Sequence, residues 1–400
     1  MIGSLVSVNI VSFINHNIGM ATIPELVALV KTAAERAANF QERFAAEDIE
    51  ARKIVDVMEA FLKSRGRVVY GGAAINAYLS PETRFYDPKL HLPDYDFLTP
   101  DPLQDTADLI AQFKREGFQE VEAKFGIHEG TYKVFVNFRA AADITYMPTD
   151  LYTNTLKEST LINGIRCASP DFLRMNIYVE LSRPQGNISR WEKVYQRLLL
   201  LNHEHPMVAK CTENQPHKNK NKKIVELAKE YGAIFLTEPD DSPLILMTDN
   251  HKLETALEMT SKKFESIGDI LPARVEFYKG TRLIVVVFDT MACHAYVTIE
   301  SMRIGSLDLL IHMYYAMYFT NVNYISDLPC VIHRLIKLEA ERRQNAVKGD
   351  DTYDVFPIEC VGHQPTMPEL KRAHRKRVRE KRKELAHLFQ RSSNRKNALT

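Results

Sequence analysis

The sequence predicts an α+β protein built from two copies of one unit, the second copy degenerate. Three observations predict it. Helix-like and strand-like patterns interleave through the first two hundred residues, the same patterns restart near residue 220, and strand-borne acidic residues cluster only in the first copy.

The elements follow in order. Thr22 and Glu25 around Pro24 form a capping box that opens a helix. "EDIEARKIVDVMEAFLKSRG" sets Ile54, Val57, Met58, Phe61 and Leu62 at helical spacing and stops at Gly66. "RVVYGG" reads as a short strand ending in Gly71-Gly72, "AAINAYL" as the start of a helix and "DYDFL" as a strand. Residues 102–116 read as a helix, then "TYKVFVNF" and "AADITYM" as two strands joined by a turn at Arg139. Ser169 and Ser189 are expected to cap the helices "SPDFLRMNIYVELS" and "SRWEKVYQRLLLLNH". The lysine-rich "KCTENQPHKNKNKK" (210–223) reads as a linker or exposed loop. The expected division is an N-terminal segment and helix (1–44), a first unit (45–210), a second unit (211–365) and a tail (366–400).

The restart has its own detail. "HEGTYKVFVNFRAAADITYM" (128–147) lies over "YKGTRLIVVVFDTMACHAYV" (278–297) without a gap, "SPDFLRMNIYVELS" echoes "SLDLLIHMYYAMYF" from Ser306, and "KIVDVMEAFLKSRG" echoes "KIVELAKEYG" from Lys223. In this register Asp143 falls opposite Cys293, and the pair Asp94/Asp96 falls in "SPLILMTD", which has no Asp-x-Asp. Nothing matches Gly71-Gly72. His294, near the vacant third position, reads as a packed core histidine.

The net charge of +1 conceals an asymmetry. Residues 369–400 carry twelve Lys or Arg against three Glu, a local +9 that leaves the body at −8. Such a tail fits a phosphate backbone, nuclear targeting or a solvated helix. Five scattered cysteines without a CxxC pair predict free, mostly buried thiols and a reducing compartment. No basic, apolar leader opens the chain and no apolar run is long enough for a membrane span, so a soluble intracellular protein is expected.

The chemistry concentrates in "LPDYDFLTPD". On a strand, Asp94 and Asp96 project from one face about 7 Å apart, while Tyr95 and Phe97 anchor the other. Asp143, on a later strand, projects with Ala141 and Thr145. Three converging carboxylates are costly unless a cation sits among them, and oxygen-only donors suit Mg²⁺ or Mn²⁺. Gly71-Gly72 at a helix start lets backbone N–H groups approach a phosphate, and Asn76 offers a polar contact one turn in. "RWEKVYQR" sets Arg190, Lys193 and Arg197 along one helix face. Trp191 reads as core rather than as a base-stacking platform.

These residues resemble the nucleotidyltransferase superfamily, with its Gly-Gly, acidic-x-acidic strand and third acidic strand on a DNA polymerase β-like fold. "VVYGGAAINAYL", "LPDYDFLTPD", "HEGTYKVFVN", "ADITYMP", "RMNIYVELSRPQGNISRWEKVYQRLLLL" and "IECVGHQPT" resemble more narrowly the poly(A) polymerase catalytic subunits of large cytoplasmic DNA viruses, over about residues 45–375. The resemblance implies a duplicated nucleotidyltransferase fold and addition of adenylates from ATP to RNA 3′ ends with Mg²⁺ or Mn²⁺. It implies metal-ligand roles for Asp94, Asp96 and Asp143 and a nucleotide-loop role for Gly71 and Gly72. Thr131, Lys133, Arg190 and Lys193 become nucleotide or RNA contacts. A homodimer in the cytoplasm of an infected cell, or in the virion, is expected, without membrane attachment. Where relatives carry a hydroxyl after Gly-Gly this chain has Ala73, which leaves the phosphate contact to backbone or other side chains. A CCA- or uridylyl-adding enzyme and a noncatalytic RNA-binding scaffold remain open alternatives.

Overall fold

The computed structural model describes residues 22–86, 93–211, 222–349 and 354–381. Readings made above for residues 1–21, for 212–221 of the polar loop and for the tail beyond 381 lie outside them. The described chain forms two compact units. One holds α1 (Ile23–Glu47) and the start of α2 (Ile49–Arg65), and the other holds the rest of α2 and both sheets. At the start of α1 the Thr22 N–H donates to Glu25 Oε2 at 2.7 Å, as the capping box predicts. The α2 residues Ile54, Val57, Met58, Phe61 and Leu62 are buried, as their spacing requires, and the helix ends at Gly66 with φ +59°.

The first half continues through β1 (Val68–Tyr70), α3 (Gly71–Tyr78), β2 (Tyr95–Thr99), α4 (Pro102–Arg115), β3 (Val121–Phe125), β4 (Thr131–Val136) and β5 (Arg139–Tyr146). There follow α5 (Thr149–Glu158), β6 (Thr160–Ile162), β7 (Ile165–Cys167), α6 (Pro170–Leu181) and α7 (Trp191–Glu204). The strands form one sheet in the order β3-β4-β5-β2-β1-β7-β6. Ser169 caps α6 by accepting the Phe172 N–H at 3.3 Å. Ser189 does not cap α7: the chain enters that helix through a 3₁₀ turn, Ile188–Arg190, and the Ser189 hydroxyl donates instead to Asn187 Oδ1 at 2.7 Å.

The second half holds α8 (Lys222–Glu230), β8 (Ile234–Phe235), β9 (Leu244–Thr248), α9 (Lys252–Ala256), β10 (Thr260–Phe264), β11 (Arg274–Lys279) and β12 (Arg282–Asp289). It ends with β13 (His294–Ile299), β14 (Met302–Gly305), α10 (Leu307–Phe319), α11 (Leu328–Lys348), β15 (Cys360–Val361) and α12 (367–381). Its sheet order is β10-β11-β12-β9-β8-β14-β13-β15. Without β15, the two orders match strand for strand, which is the expected duplication. Gly66 and Gly232 each end a helix two residues before the first strand, and Ser169 and Ser306 each cap the helix after the β7 or β14 strand. Those two helices, α6 and α10, pack together inside one core that both halves share, with Phe172 and Phe319 edge to face at 5.3 Å.

Topology corrects the register of the repeat. β5 corresponds to β12, each lying parallel to its neighbour β2 or β9, so Asp143 matches Val286 and not Cys293. The gapless alignment had slid one strand along the hairpin, because apolar runs of period two resemble one another. The cysteine expectation is also corrected. Cys211 pairs with Cys330 and Cys293 with Cys360, across 119 and 67 residues, and only Cys167 is a buried free thiol. Pairing over such separations is set by tertiary proximity, which spacing does not encode. Among the described residues no helix is long and apolar enough to cross a membrane.

Candidate active site

The site is assembled where β1, β2, β4 and β5 lie side by side. Tyr95 and Phe97 are buried, which fixes β2 and turns Asp96 to the opposite face; Asp94 stands exposed one residue before the strand. Asp96 and Asp143 are direct partners on the parallel strands β2 and β5, which sets their backbones about 4.8 Å apart. Lys133 is the partner of Asp143 on β4, and its ammonium forms an ion pair with that carboxylate. Thr131, two residues earlier on β4, shares the Lys133 face.

Charge at the site is incompletely balanced. Burial first, then Asp94 and Asp143, push Asp96 up to about 7, against the opposing pull of Lys133 and Arg190. Asp94, exposed as a residue, is likewise raised by partial desolvation of its carboxyl and by Asp143, opposed by Lys133 and Lys193. Beneath them, the Tyr70 hydroxyl lies 3.0 Å from Thr145 Oγ1, and its phenol is raised by burial and by Asp96. The ligand oxygens of the three aspartates are not all within 4.8 Å of one another. Among the described residues only two surface triads are that tight, His251–Glu254–Asp289 and Glu238–Asp240–Asp241. An opened, all-oxygen trio with a surplus of negative charge suits hard divalent cations, including a pair of them about 4 Å apart.

The two glycines explain how the chain passes so close. Gly71 has φ +70°, and a Cβ there would stand 2.7 Å from Asp96 Oδ2. A Cβ on Gly72 would stand 2.9 Å from Arg197 Nη1. α3 starts at Gly71 with no side-chain cap on its N–H groups, as a helix that receives an anion would. Asn76 is buried on the second turn of α3.

The basic residues divide. Arg190, at the end of the 3₁₀ turn, donates to both oxygens of Glu180, at 2.8 and 3.1 Å, while its charge is felt at Asp96. Lys193 is exposed in the first turn of α7. Arg197, one turn further, lies over the Phe85 ring at 4.5 Å and against Gly72. Sequence reasoning placed Arg197 on the right face without carrying it to the glycine loop; the signal was its i+7 spacing from Arg190. Trp191 is half-buried against Phe356, with its indole N–H donating to the Glu180 carbonyl at 3.1 Å, so the core reading is correct.

Residues 56–187 match the family model of the poly(A) polymerase catalytic subunit. A protein of Acanthamoeba polyphaga mimivirus described as a poly(A) polymerase catalytic subunit is 34% identical over 40% of this chain. One of African swine fever virus, described in the same words, is 27% identical over 40% of it. The matches span 27% and 35% of the length of those curated relatives. The crystal structure of the Megavirus polyadenylate synthase superposes with a TM-score of 0.74 over 92% of this chain and 86% of that one, at 20% identity. The nucleotidyltransferase fold and the poly(A) polymerase resemblance read from the motifs are both borne out.

Proposed function

We propose that the protein is a template-independent polynucleotide adenylyltransferase that transfers AMP from ATP to RNA 3′ ends. The observation that carries this reading is the meeting of Asp94, Asp96 and Asp143 at one strand face, with Asp96 pushed up to about 7 by burial and its two acidic neighbours. Such a group asks for positive charge that Lys133 alone does not supply. Asp94, Asp96 and Asp143 would hold Mg²⁺ or Mn²⁺, which when bound aligns the attacking hydroxyl with the α-phosphate and offsets the charge that develops.

The chain's own groups do the rest. Gly71 and Gly72 bring the first N–H groups of α3 toward the triphosphate, so the phosphate contact passes through backbone, consistent with Ala73 in the next position. Lys193 and Arg197 flank that loop from α7, with Arg190 as a charge nearby, and Thr131 and Lys133 border the site from β4. The matches to viral relatives support a cytoplasmic or virion setting, and the duplicated halves support a division at about residue 210 between a catalytic and a degenerate domain. The homodimer belongs to the same proposal.

The test is AMP incorporation into a labelled RNA oligonucleotide with each nucleoside triphosphate in turn. ATP alone should extend it, and Asp96→Asn or Asp143→Asn should lower the rate by about a thousandfold or more, equivalent to some 4 kcal/mol. Preference for CTP or UTP would move the reading to another terminal transferase. No extension by wild type with any nucleotide, together with retained RNA binding, would leave the scaffold.

A further inference from the structure

We propose that α12 is a docked electrostatic rail for single-stranded RNA, held on the β3–β4 hairpin at the edge of the sheet that carries the carboxylate site. The inference rests on RNA being the substrate and names a surface for it. Thr366 opens the helix with a capping box, its N–H and hydroxyl both donating to Glu369 Oε2 at 2.8 Å. Leu370, His374, Arg377 and Val378 fall on one stripe and are partly buried, whereas Lys371, Arg372, Arg375, Lys376 and Arg379 are exposed.

The inner stripe has specific partners. His374 Nδ1 lies 2.9 Å from the Gly126 carbonyl, Arg377 Nη2 donates to the Ile127 carbonyl at 2.7 Å, and Arg377 Nη1 stands 4.0 Å from Glu129. The charge of Lys381 reaches Tyr132 on β4. The helix therefore lies over the turn of the β3–β4 hairpin and reaches toward Tyr132, whose side chain leaves β4 on the face opposite Thr131 and Lys133. The Gly126 N–H bonds the Thr131 carbonyl at 2.7 Å, two residues, or about 7 Å, from Lys133.

A solvated basic helix has no reason to spend a histidine and an arginine on two backbone carbonyls of a distant hairpin. Docking costs side-chain entropy, and here it orients five exposed cations, Lys371 to Arg379, outward along about 12 Å of helix. β15 fixes the approach: it pairs with β13 in the second sheet, Cys360 is joined to Cys293, and four residues separate Val361 from the helix cap at Thr366. An unbroken row of cations over one helix face matches the phosphates of an extended strand, and no apolar or aromatic group interrupts it to read bases.

The experiment measures binding of the full chain to a labelled single-stranded RNA at stepped salt concentrations, for wild type and for K371Q/R372Q/R375Q/K376Q/R379Q. The variant should bind about tenfold or more weakly at moderate salt, with a log–log salt slope shallower by as much as ~3.5, about 0.7 for each cation lost. R372K/R375K/R379K, which keeps the charge, should retain the wild-type slope. An unchanged affinity and slope in the five-fold variant overturns the inference, as does unchanged RNA binding with lost binding to anionic phospholipid vesicles. The parent reading fails separately: wild type that adds no AMP yet loses RNA affinity on these substitutions sinks the enzyme and keeps the rail.

Discussion

The two sheets share one strand order and opposite chemistry at one pair of positions. In the first, Asp96 faces Asp143 and Lys133 faces Asp143. In the second, the corresponding residues are Ile245, Val286 and Glu276. Ile245 and Val286 are fully buried, and Glu276 accepts hydrogen bonds from the Tyr278 and Tyr324 hydroxyls, with Arg274 Nε at 3.9 Å. At the glycine turn the contrast repeats. Gly71 leaves room for the Asp96 carboxylate, whereas Thr237 fills that place and its hydroxyl accepts the Ile245 N–H at 2.9 Å. Asp94 corresponds to Pro243. Each change in the second sheet removes a charge, closes a space or satisfies a polar group, so a strand pair that would otherwise hold cations becomes core. The fold needs the strand order; only the chemistry needs the acids.

That contrast can be broken most severely from the degenerate side. Ile245→Asp should fail to fold stably, losing on the order of 4 kcal/mol or more, because a carboxylate there faces the fully buried Val286 on β12, with the acid Glu276 beyond it on β11. Thermal unfolding checks it, with Asp96→Ala expected to unfold no lower than wild type. A stable Ile245→Asp would mean that the second site is open to water.

A smaller effect is expected at the turn. Gly71→Ala forces a side chain into φ +70° and against Asp96 Oδ2, so it should cost about 1–2 kcal/mol of stability and depress AMP addition at least tenfold by displacing that carboxylate. Thr237→Gly, the converse change in the second sheet, should lose only the stability of one hydrogen bond, about 1 kcal/mol, and leave AMP addition alone. Equal losses of activity in the two variants would show that the turn serves the fold rather than the site.

Much of this contrast was legible in the residues. Period-two patterns set Asp96 and Asp143 on strands, and their anchoring neighbours Phe97 and Ile144 proved fully buried. The empty counterpart of Asp-x-Asp was found in the right segment, because "SPLILMTD" contains Ile245 itself. The third position was misplaced, since β11 and β12 are both apolar runs and a gapless alignment cannot choose between them. Thr99 and Thr248 mark the match of β2 with β9 and leave that choice open. Each ends its strand and accepts the backbone N–H two residues on, Asp101 at 3.1 Å and Asn250 at 3.0 Å. Long-range features stayed hidden for a different reason. The Lys133–Asp143 ion pair, the two disulfides and the docking of α12 all depend on which strands become neighbours, and no local propensity specifies that.

An effect that appears only with pH is the most diagnostic of an unmet demand for cations. In the metal-free protein Asp96 keeps its proton up to about pH 7, whereas an unfolded chain loses it near the ordinary carboxylate value, which is far lower. Between those limits the folded state binds more protons than the unfolded one, so the contribution of Asp96 to stability is present at low pH and is lost as pH rises through about 7. Asp96→Asn has no such loss. Its melting temperature relative to metal-free wild type should therefore climb from about pH 5 to about pH 8, by a few kcal/mol at most in stability. Adding Mg²⁺ or Mn²⁺ at the upper pH should close the gap, because only wild type gains from binding the ion. A difference that stays flat with pH would place Asp96 among compensated carboxylates and would remove the electrostatic reason for putting metal there.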